Sequence, residues 1–507
     1  MSAACETIDF LRLSLEALGG PVETMETHAS LVFIGHDRVW KLKRPVHYPY
    51  LDFSTPENRL AACRAEIDLN RRTAPKLYLG AKIITRQSDG RLGFDADGEL
   101  VDAVVEMRRF EQDQLFDALA RSGRLSQKIA GDLAARIARF HDHAAAPEHP
   151  HGAQRIGDVL AINDRSLRSS GIFTAAQCDA LDAKFRSAFE RHSRLLDRRA
   201  QQGKVRRCHG DLTLRNICMF EGEPTPFDCL EFNAELATID VLYDLAFLLM
   251  DLWHRDQRDI ANWCFNRYLD ARDETDGLAL MPLFMAMRAC VRAHVTASQA
   301  LGAVGDKGAL IDEARAYLQI AGDFLATPMQ SLVAVGGLSG SGKSTLAAAL
   351  AGKVGGAPGA RVLSSDRTRK QIYGVSATTR LPADAYAPAV SQRVYETLFV
   401  NCRRVLDAGG SCIVEAVFDR AEDRNAMNNI ANEYTLGFHG LWLDTAHDLA
   451  AQRILTRRDD PSDATVDVLT GQAARDCGPI SWLRIDASAD AAATLAKALA
   501  TVGGARA

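Results

Sequence analysis

Two sets of residues in this chain stand at spacings that could handle a phosphate group. The first is Val335–Thr345, VGGLSGSGKST, which fits G-x-x-x-x-G-K-[ST], with Gly337 opening the pattern and Gly342, Lys343 and Ser344 closing it. Glycines let backbone N–H groups close around phosphate oxygens. The expected nucleotide contacts are Gly337, Ser339, Gly340, Ser341, Gly342, Lys343, Ser344 and Thr345. Lys343 would reach the β- and γ-phosphates of ATP, and Ser344 would ligate Mg²⁺. The second set lies in Arg207–Phe220, RCHGDLTLRNICMF, followed by Pro226-Phe227-Asp228. Transfer of a phosphoryl group needs a carboxylate to take the acceptor's hydroxyl proton, with an amide and a second carboxylate to hold Mg²⁺. Asp211, Asn216 and Asp228 supply these three. A pair of Asx turns would account for any one of them alone.

Positioning such residues requires particular elements. Ser331–Val335 is a short apolar run and Ser344–Ala351 a strong helix former, so the loop is expected between strand and helix. Upstream, Ala29–Phe33 and Arg38–Leu42 read as strands around a Gly35-His36-Asp37 turn. Pro56–Arg72 reads as a helix, with Pro near its start and arginines in its last turn. Tyr78–Arg86 and Val101–Met107 are strand-like. Helices are expected at Gln127–His143, Gln177–Gln201, Val241–Trp253, Arg255–Asp270, Leu278–Leu301 and Asp312–Phe324. Ala326-Thr327-Pro328 marks a boundary, giving one domain over 1–325 and a second over 330–507.

The catalytic-loop string His209-Gly210-Asp211 with Asn216 five residues on, and the Phe227-Asp228 step, resemble the aminoglycoside phosphotransferase and protein kinase-like family. The resemblance covers about residues 25–320 and implies an α+β two-lobed fold with ATP in its cleft. It implies a strand lysine paired with a helix glutamate, places that Lys41 and Glu66 fit. Lys43 is the alternative lysine, because alternate strand residues share a face. Asp211 would be the base, and Asn216 and Asp228 the metal ligands. Asp240 and Asp244 read as structural. No G-x-G-x-x-G loop precedes Lys41, and Phe-Asp-Cys stands where protein kinases have Asp-Phe-Gly, which favours the small-molecule branch.

Past the P-loop, Val362–Asp366 reads as a strand with an acid at its carboxyl end, where open α/β sheets place ligands. The string SSDRTRK resembles P-loop kinases of the gluconate kinase, polynucleotide kinase and zeta-toxin type, in which Asp366 matches the acceptor-binding acid. Arg369 would lie near an acidic group of the acceptor. Ser411–Val417 is a buried strand carrying Glu415, placed as a second Mg²⁺ acid. Arg457 and Arg458 end a helix and fit an arginine-bearing lid over ATP, although a helix dipole also favours cations there. Strands at Phe438–Leu443 and Trp482–Ile485 complete a three-layer α/β P-loop NTPase unit with a mostly parallel sheet.

Composition fits a soluble globular chain. Of 507 residues, 47% are hydrophobic and 25% charged, and the formal charge of -5 gives no general attraction to nucleic acid. The 11 cysteines lack metal spacing and read as reduced, buried residues. The N-terminus MSAACETIDF has no secretory pattern, and Leu242–Leu252 and Leu278–Met287 are too short to span a bilayer, so a cytoplasmic protein without a membrane partner is expected. Together the residues point to an ATP- and Mg²⁺-dependent enzyme with two heads, each phosphorylating a hydroxyl of a small molecule. The alternatives for the second head are a polynucleotide 5′-hydroxyl kinase, with nucleic acid the less favoured acceptor, and an ATP-hydrolysing regulatory module for the first.

Overall fold

The computed structural model describes residues 3–27, 29–48, 51–231, 233–302, 305–326, 329–458 and 460–502. Thr327 and Pro328 of the expected boundary lie outside the described residues. Contacts group the chain into two compact units, one of Met1–Ile156 with Leu196–Asp251 and one of Gly157–Leu195 with Leu252–Ala507.

The first unit holds a six-stranded sheet in the order Glu23–Glu26, Ser30–Ile34, Arg38–Lys43, Glu99–Arg108, Tyr78–Arg86, Leu92–Phe94. Every neighbouring pair is antiparallel. Helix Pro56–Asn70 starts where Thr55 Oγ1 accepts from Asn58 N–H at 3.2 Å, with Pro56 in the first turn, where its missing N–H costs nothing. This helix packs Cys63 and Ile67 against Ala103, Val105 and Met107 of the sheet. The same apolar cluster takes in Cys218 and Phe220 from the hairpin Ile217–Phe220/Glu223–Pro226, which follows the catalytic loop. Strand Val205–Arg207, paired with Thr238–Asp240, leads into that loop. Asp244, at the start of helix Val241–His254, accepts the N–H groups of His209 and Gly210 at 3.2 and 2.8 Å, and Arg199 grips Asp240.

The second unit is built on a five-stranded sheet in the order Arg361–Ser364, Cys412–Glu415, Leu332–Gly337, Phe438–Asp444, Leu483–Asp486, all parallel. Fully buried parallel strands read as continuous apolar runs, which is why Leu332–Val335 and Cys412–Val414 are buried at every position. Helix Lys343–Ala351 and helix Ala491–Val502 share a core with the sheet through Leu346, Leu350 and Ala498. The edge strand does not end in water. Helix Arg258–Ala271 presents Asn266, whose Oδ1 accepts from Val362 N–H at 2.8 Å while its Nδ2 donates to Ala360 O at 3.1 Å. Asn262 donates to Pro358 O and Ala360 O, both at 3.0 Å. Two amide side chains thus stand in for a sixth strand and blunt the edge. Among the described residues one helix, Thr275–Gly302, is long and apolar enough to cross a membrane, and 67% of its apolar window is buried inside the protein.

Candidate functional site

In the first unit, Lys41 and Lys43 lie two apart on strand Arg38–Lys43 and turn to one face. Between them sits Glu66, whose side chain is wholly buried. Lys41 Nζ is 3.0 Å from Glu66 Oε1 and 2.6 Å from Asp228 Oδ1. Lys43 Nζ is 2.5 Å from Glu66 Oε2, off the hydrogen-bond direction and therefore an ionic contact, and donates to Glu231 Oε1 at 2.6 Å. Both lysines engage the glutamate. Lys41 alone reaches Asp228.

Burial works against the charges of Lys41, Lys43, Glu66 and Asp228, and the neighbours outweigh it. Burial would lower the Lys41 ammonium, yet Asp228, Glu66 and Glu231 raise it well above the ordinary lysine range. Burial would raise the Glu66 and Asp228 carboxyls, yet the two lysines hold both below theirs. Asp228 sits at φ 60°, a left-handed conformation that Asp tolerates better than most residues but that still costs ~1–3 kcal/mol. Asn216 Nδ2 donates to Asp211 Oδ2 at 2.8 Å and to Asp211 O at 3.0 Å, fixing the carboxylate of the loop. Asn216 keeps its amide oxygen, and Asp228 its second carboxylate oxygen, as hard donors of the kind Mg²⁺ takes, so these residues fit the ion.

In the second unit, the P-loop is held by backbone geometry. Gly342 is at φ 95° immediately before helix Lys343–Ala351, and a Cβ on Gly340 would meet Ala450 O at 2.4 Å. Only glycine fits either position without strain. Lys343 Nζ donates to Leu338 O at 2.9 Å, folded back over its own loop. Ser344 Oγ lies 3.1 Å from both oxygens of Glu415. Burial raises the Glu415 carboxyl and lowers the Lys343 ammonium. A buried acid beside a hydroxyl at the end of a parallel strand also fits Mg²⁺. Helix Ser365–Ile372 is capped by Ser364, so Asp366 lies in the helix's first turn rather than at the end of the strand. Burial raises the Asp366 carboxyl, against Ser462, Lys343 and Arg369, which pull it down. Arg369, on the same helix face, donates to Ala385 O at 2.6 Å and stacks 4.7 Å from the Tyr386 ring. A cavity of about 660 Å³ runs along Lys343, Ser344, Asp366, Arg369 and Arg457. Arg458 is exposed and outside that lining.

Residues 50–278 match the phosphotransferase enzyme family, and residues 332–476 match the AAA domain family. The chain fuses a kinase-like region to a P-loop ATPase domain. Uncharacterised proteins of Mycobacterium tuberculosis and Mycobacterium bovis are 28% identical to it over 474 residues, 92% of each chain. Similar solved structures include a choline/ethanolamine kinase family protein from Mesorhizobium loti, 16% identical over 63% of this chain and 98% of that one, with a TM-score of 0.39. A gluconokinase from Sinorhizobium meliloti 1021 is 21% identical over 35% of this chain and 93% of its own, with a TM-score of 0.24.

Several residues at the two sites carry no sequence signal of their own. In the kinase-like region, Tyr78 Oη accepts from Asp228 N–H at 3.2 Å, and Asn70 Oδ1 accepts from Cys229 N–H at 2.8 Å. In the P-loop domain, Gln472 Oε1 accepts from Ser339 N–H at 2.9 Å. Asp463 gathers Lys370 Nζ, Leu381 N–H and Tyr386 Oη. Each contact joins segments that are distant in the chain, so spacing could not have shown it.

Proposed function

We propose that the kinase-like region transfers the γ-phosphoryl group of ATP to a hydroxyl of a small molecule. The observation that carries this reading is Lys41 held between Glu66 and Asp228 while Asn216 fixes Asp211. Asp211 takes the proton of the acceptor hydroxyl. The freed oxygen then bonds to the γ-phosphorus as the bond to the β–γ bridging oxygen breaks, and ADP leaves. Lys41 contacts the phosphates, with Glu66 keeping its ammonium in place. Asn216 and Asp228 hold Mg²⁺, which neutralises phosphate charge when bound. Label transfer from γ-labelled ATP to a panel of sugars, amino alcohols and aminoglycosides tests this. The expected result is at least one labelled alcohol, absent with Asp211→Asn. A panel that stays unlabelled, or an unaffected variant, would overturn it.

For the P-loop domain we infer ATP binding at Gly337–Thr345, with Ser344 and Glu415 holding Mg²⁺ and Arg457 closing over the nucleotide, and hydrolysis that sets the activity of the first region. Relatives that match over 92% of each chain keep the two regions in one polypeptide, which supports a joint function. ATPase activity that survives Asp211→Asn and disappears with Lys343→Ala is the expected result. The cavity that brings Asp366 and Arg369 beside Lys343 favours a second reading, in which this domain phosphorylates an acceptor of its own, a small molecule or a polynucleotide 5′-hydroxyl. Label on an acceptor in the Asp211→Asn chain would select it.

A further inference from the structure

Each residue of the segment Phe227–Glu231 is fastened by at least one hydrogen bond. Phe227 N–H donates to Asn216 O at 2.9 Å, and its carbonyl accepts from His209 Nε2 at 3.0 Å. Asp228 N–H goes to Tyr78 and Cys229 N–H to Asn70. Leu230 N–H donates to His209 O at 2.9 Å. At the far end, Glu231 Oε1 accepts from Lys43 Nζ at 2.6 Å. Two residues of the segment also meet a lysine of strand Arg38–Lys43 through their carboxylates, Asp228 through Lys41 and Glu231 through Lys43, both at 2.6 Å. Lys43 is only 1% exposed against 16% for Lys41, so water competes least for the Glu231 contact. Lys43 and Lys41 also share Glu66.

We propose that Lys43 and Glu231 are positioning residues for Asp228, their buried ion pair holding the carboxylate where it meets Mg²⁺. Asp228 is at φ 60°, so its backbone is held away from the conformation it would adopt alone. Losing an anchor three residues on lets the segment relax and swings the carboxylate. Together with Lys41 on Asp228 Oδ1, the pair holds the segment to the strand of the phosphate-binding lysine at two points, so acid and lysine meet the nucleotide in one register. Lys41 and Lys43 therefore divide the work: one faces ATP, and the other places the acid. This inference rests on the reading of Asp228 as a metal-holding residue.

The test uses the full chain carrying Lys343→Ala, so that the P-loop contributes no binding. A non-hydrolysable ATP analogue is titrated by calorimetry with excess Mg²⁺ and again with a chelator. In the parent, Mg²⁺ should tighten binding. Glu231→Gln should lose about ten-fold of that tightening, the scale seen when a residue orienting a metal ligand is removed. Its affinity in chelator should stay within about two-fold, a split that general loosening of the fold would not produce. Lys43→Met should give the same loss, and the double variant no more than the worse single one. Glu231→Asp should recover part of it. If Lys43→Met fails to fold, the Glu231 variants still decide the outcome.

Full Mg²⁺ tightening in Glu231→Gln, equal losses with and without Mg²⁺, or additive losses in the double variant would overturn the proposal. A parent without Mg²⁺-dependent tightening would instead overturn the reading of Asp228, and this inference with it.

Discussion

The two phosphate-handling sites of this chain are made in opposite ways. The P-loop spends its chemistry on backbone geometry over the short run Gly337–Thr345, where glycines at positive φ aim N–H groups and one lysine lies folded on its own loop. The kinase-like site spends it on side-chain charge gathered across the chain, with Lys41 meeting Glu66 from 25 residues away and Asp228 from 187. Their electrostatics differ in sign as well. Lys41 and Lys43 press Asp228 and Glu66 below the ordinary carboxylate range, whereas burial lifts Asp366 and Glu415 above it. In one site Glu66, Asp228 and Glu231 are each already paired with a lysine before ligand arrives. In the other, desolvation outweighs the pull of Lys343 on Glu415 and of Lys343 and Arg369 on Asp366, so the acids favour a cation entering with the nucleotide.

The largest expected effect breaks one site and spares the other. Asp211→Asn should lower transfer to the small-molecule acceptor by about 10³-fold, within the range for a positioned base, while ATP turnover at the P-loop persists in a phosphate-release assay. Next, Glu66→Gln should destabilise the first unit by ~3 kcal/mol in urea unfolding, because it removes the buried anion that two lysines share. The backbone-built site should feel a smaller change, Gly340→Ala costing about 1–2 kcal/mol through its φ of 79° and the close approach of Ala450 O.

Smaller still is a pair of opposite shifts. Asp366→Asn should stabilise the ligand-free chain, and Asp228→Asn should destabilise it, each by on the order of 1 kcal/mol in thermal unfolding. The pH dependence follows the same signs. Glu66 and Asp228 have folded pKa values below their unfolded ones, so their contribution is present above the unfolded values and is lost as pH falls through the folded ones. Asp366 and Glu415 are raised, so theirs is present below the unfolded values and lost as pH rises through the folded ones. Hydrogen exchange on peptides from each unit should show acidification loosening the first site while the second tightens.

How far each site is legible in sequence follows from how it is built. A contiguous loop writes its function into adjacent letters, and Gly337–Thr345 could be read directly. The family resemblance implies Lys41 and Glu66, but neither it nor spacing could show that Lys43 shares the glutamate or that Glu231 answers Lys43, because nothing local sets a contact across 188 residues. Most elements of the kinase-like region follow their apolar periodicity, and Tyr78–Arg86 and Gln127–His143 run from end to end as expected. Helix Val466–Ala473 escapes periodicity because it is only 8 residues long, contains Gly471 and starts from a Thr465 cap, so Gln472 went unseen. The apolar run Val362–Leu363 predicts Asp366 at a strand's end, but Ser364 caps a helix that starts one residue before Asp366 and carries it into the first turn.

Two nucleotide sites working by separate residues make a direct demand on binding stoichiometry, measured by calorimetry with a non-hydrolysable ATP analogue and Mg²⁺. Two equivalents should bind to the natural chain, one each to Lys343→Ala and Asp228→Asn, and none to the double variant. A single equivalent in the natural chain, or loss of all binding in Lys343→Ala alone, would contradict two separate sites.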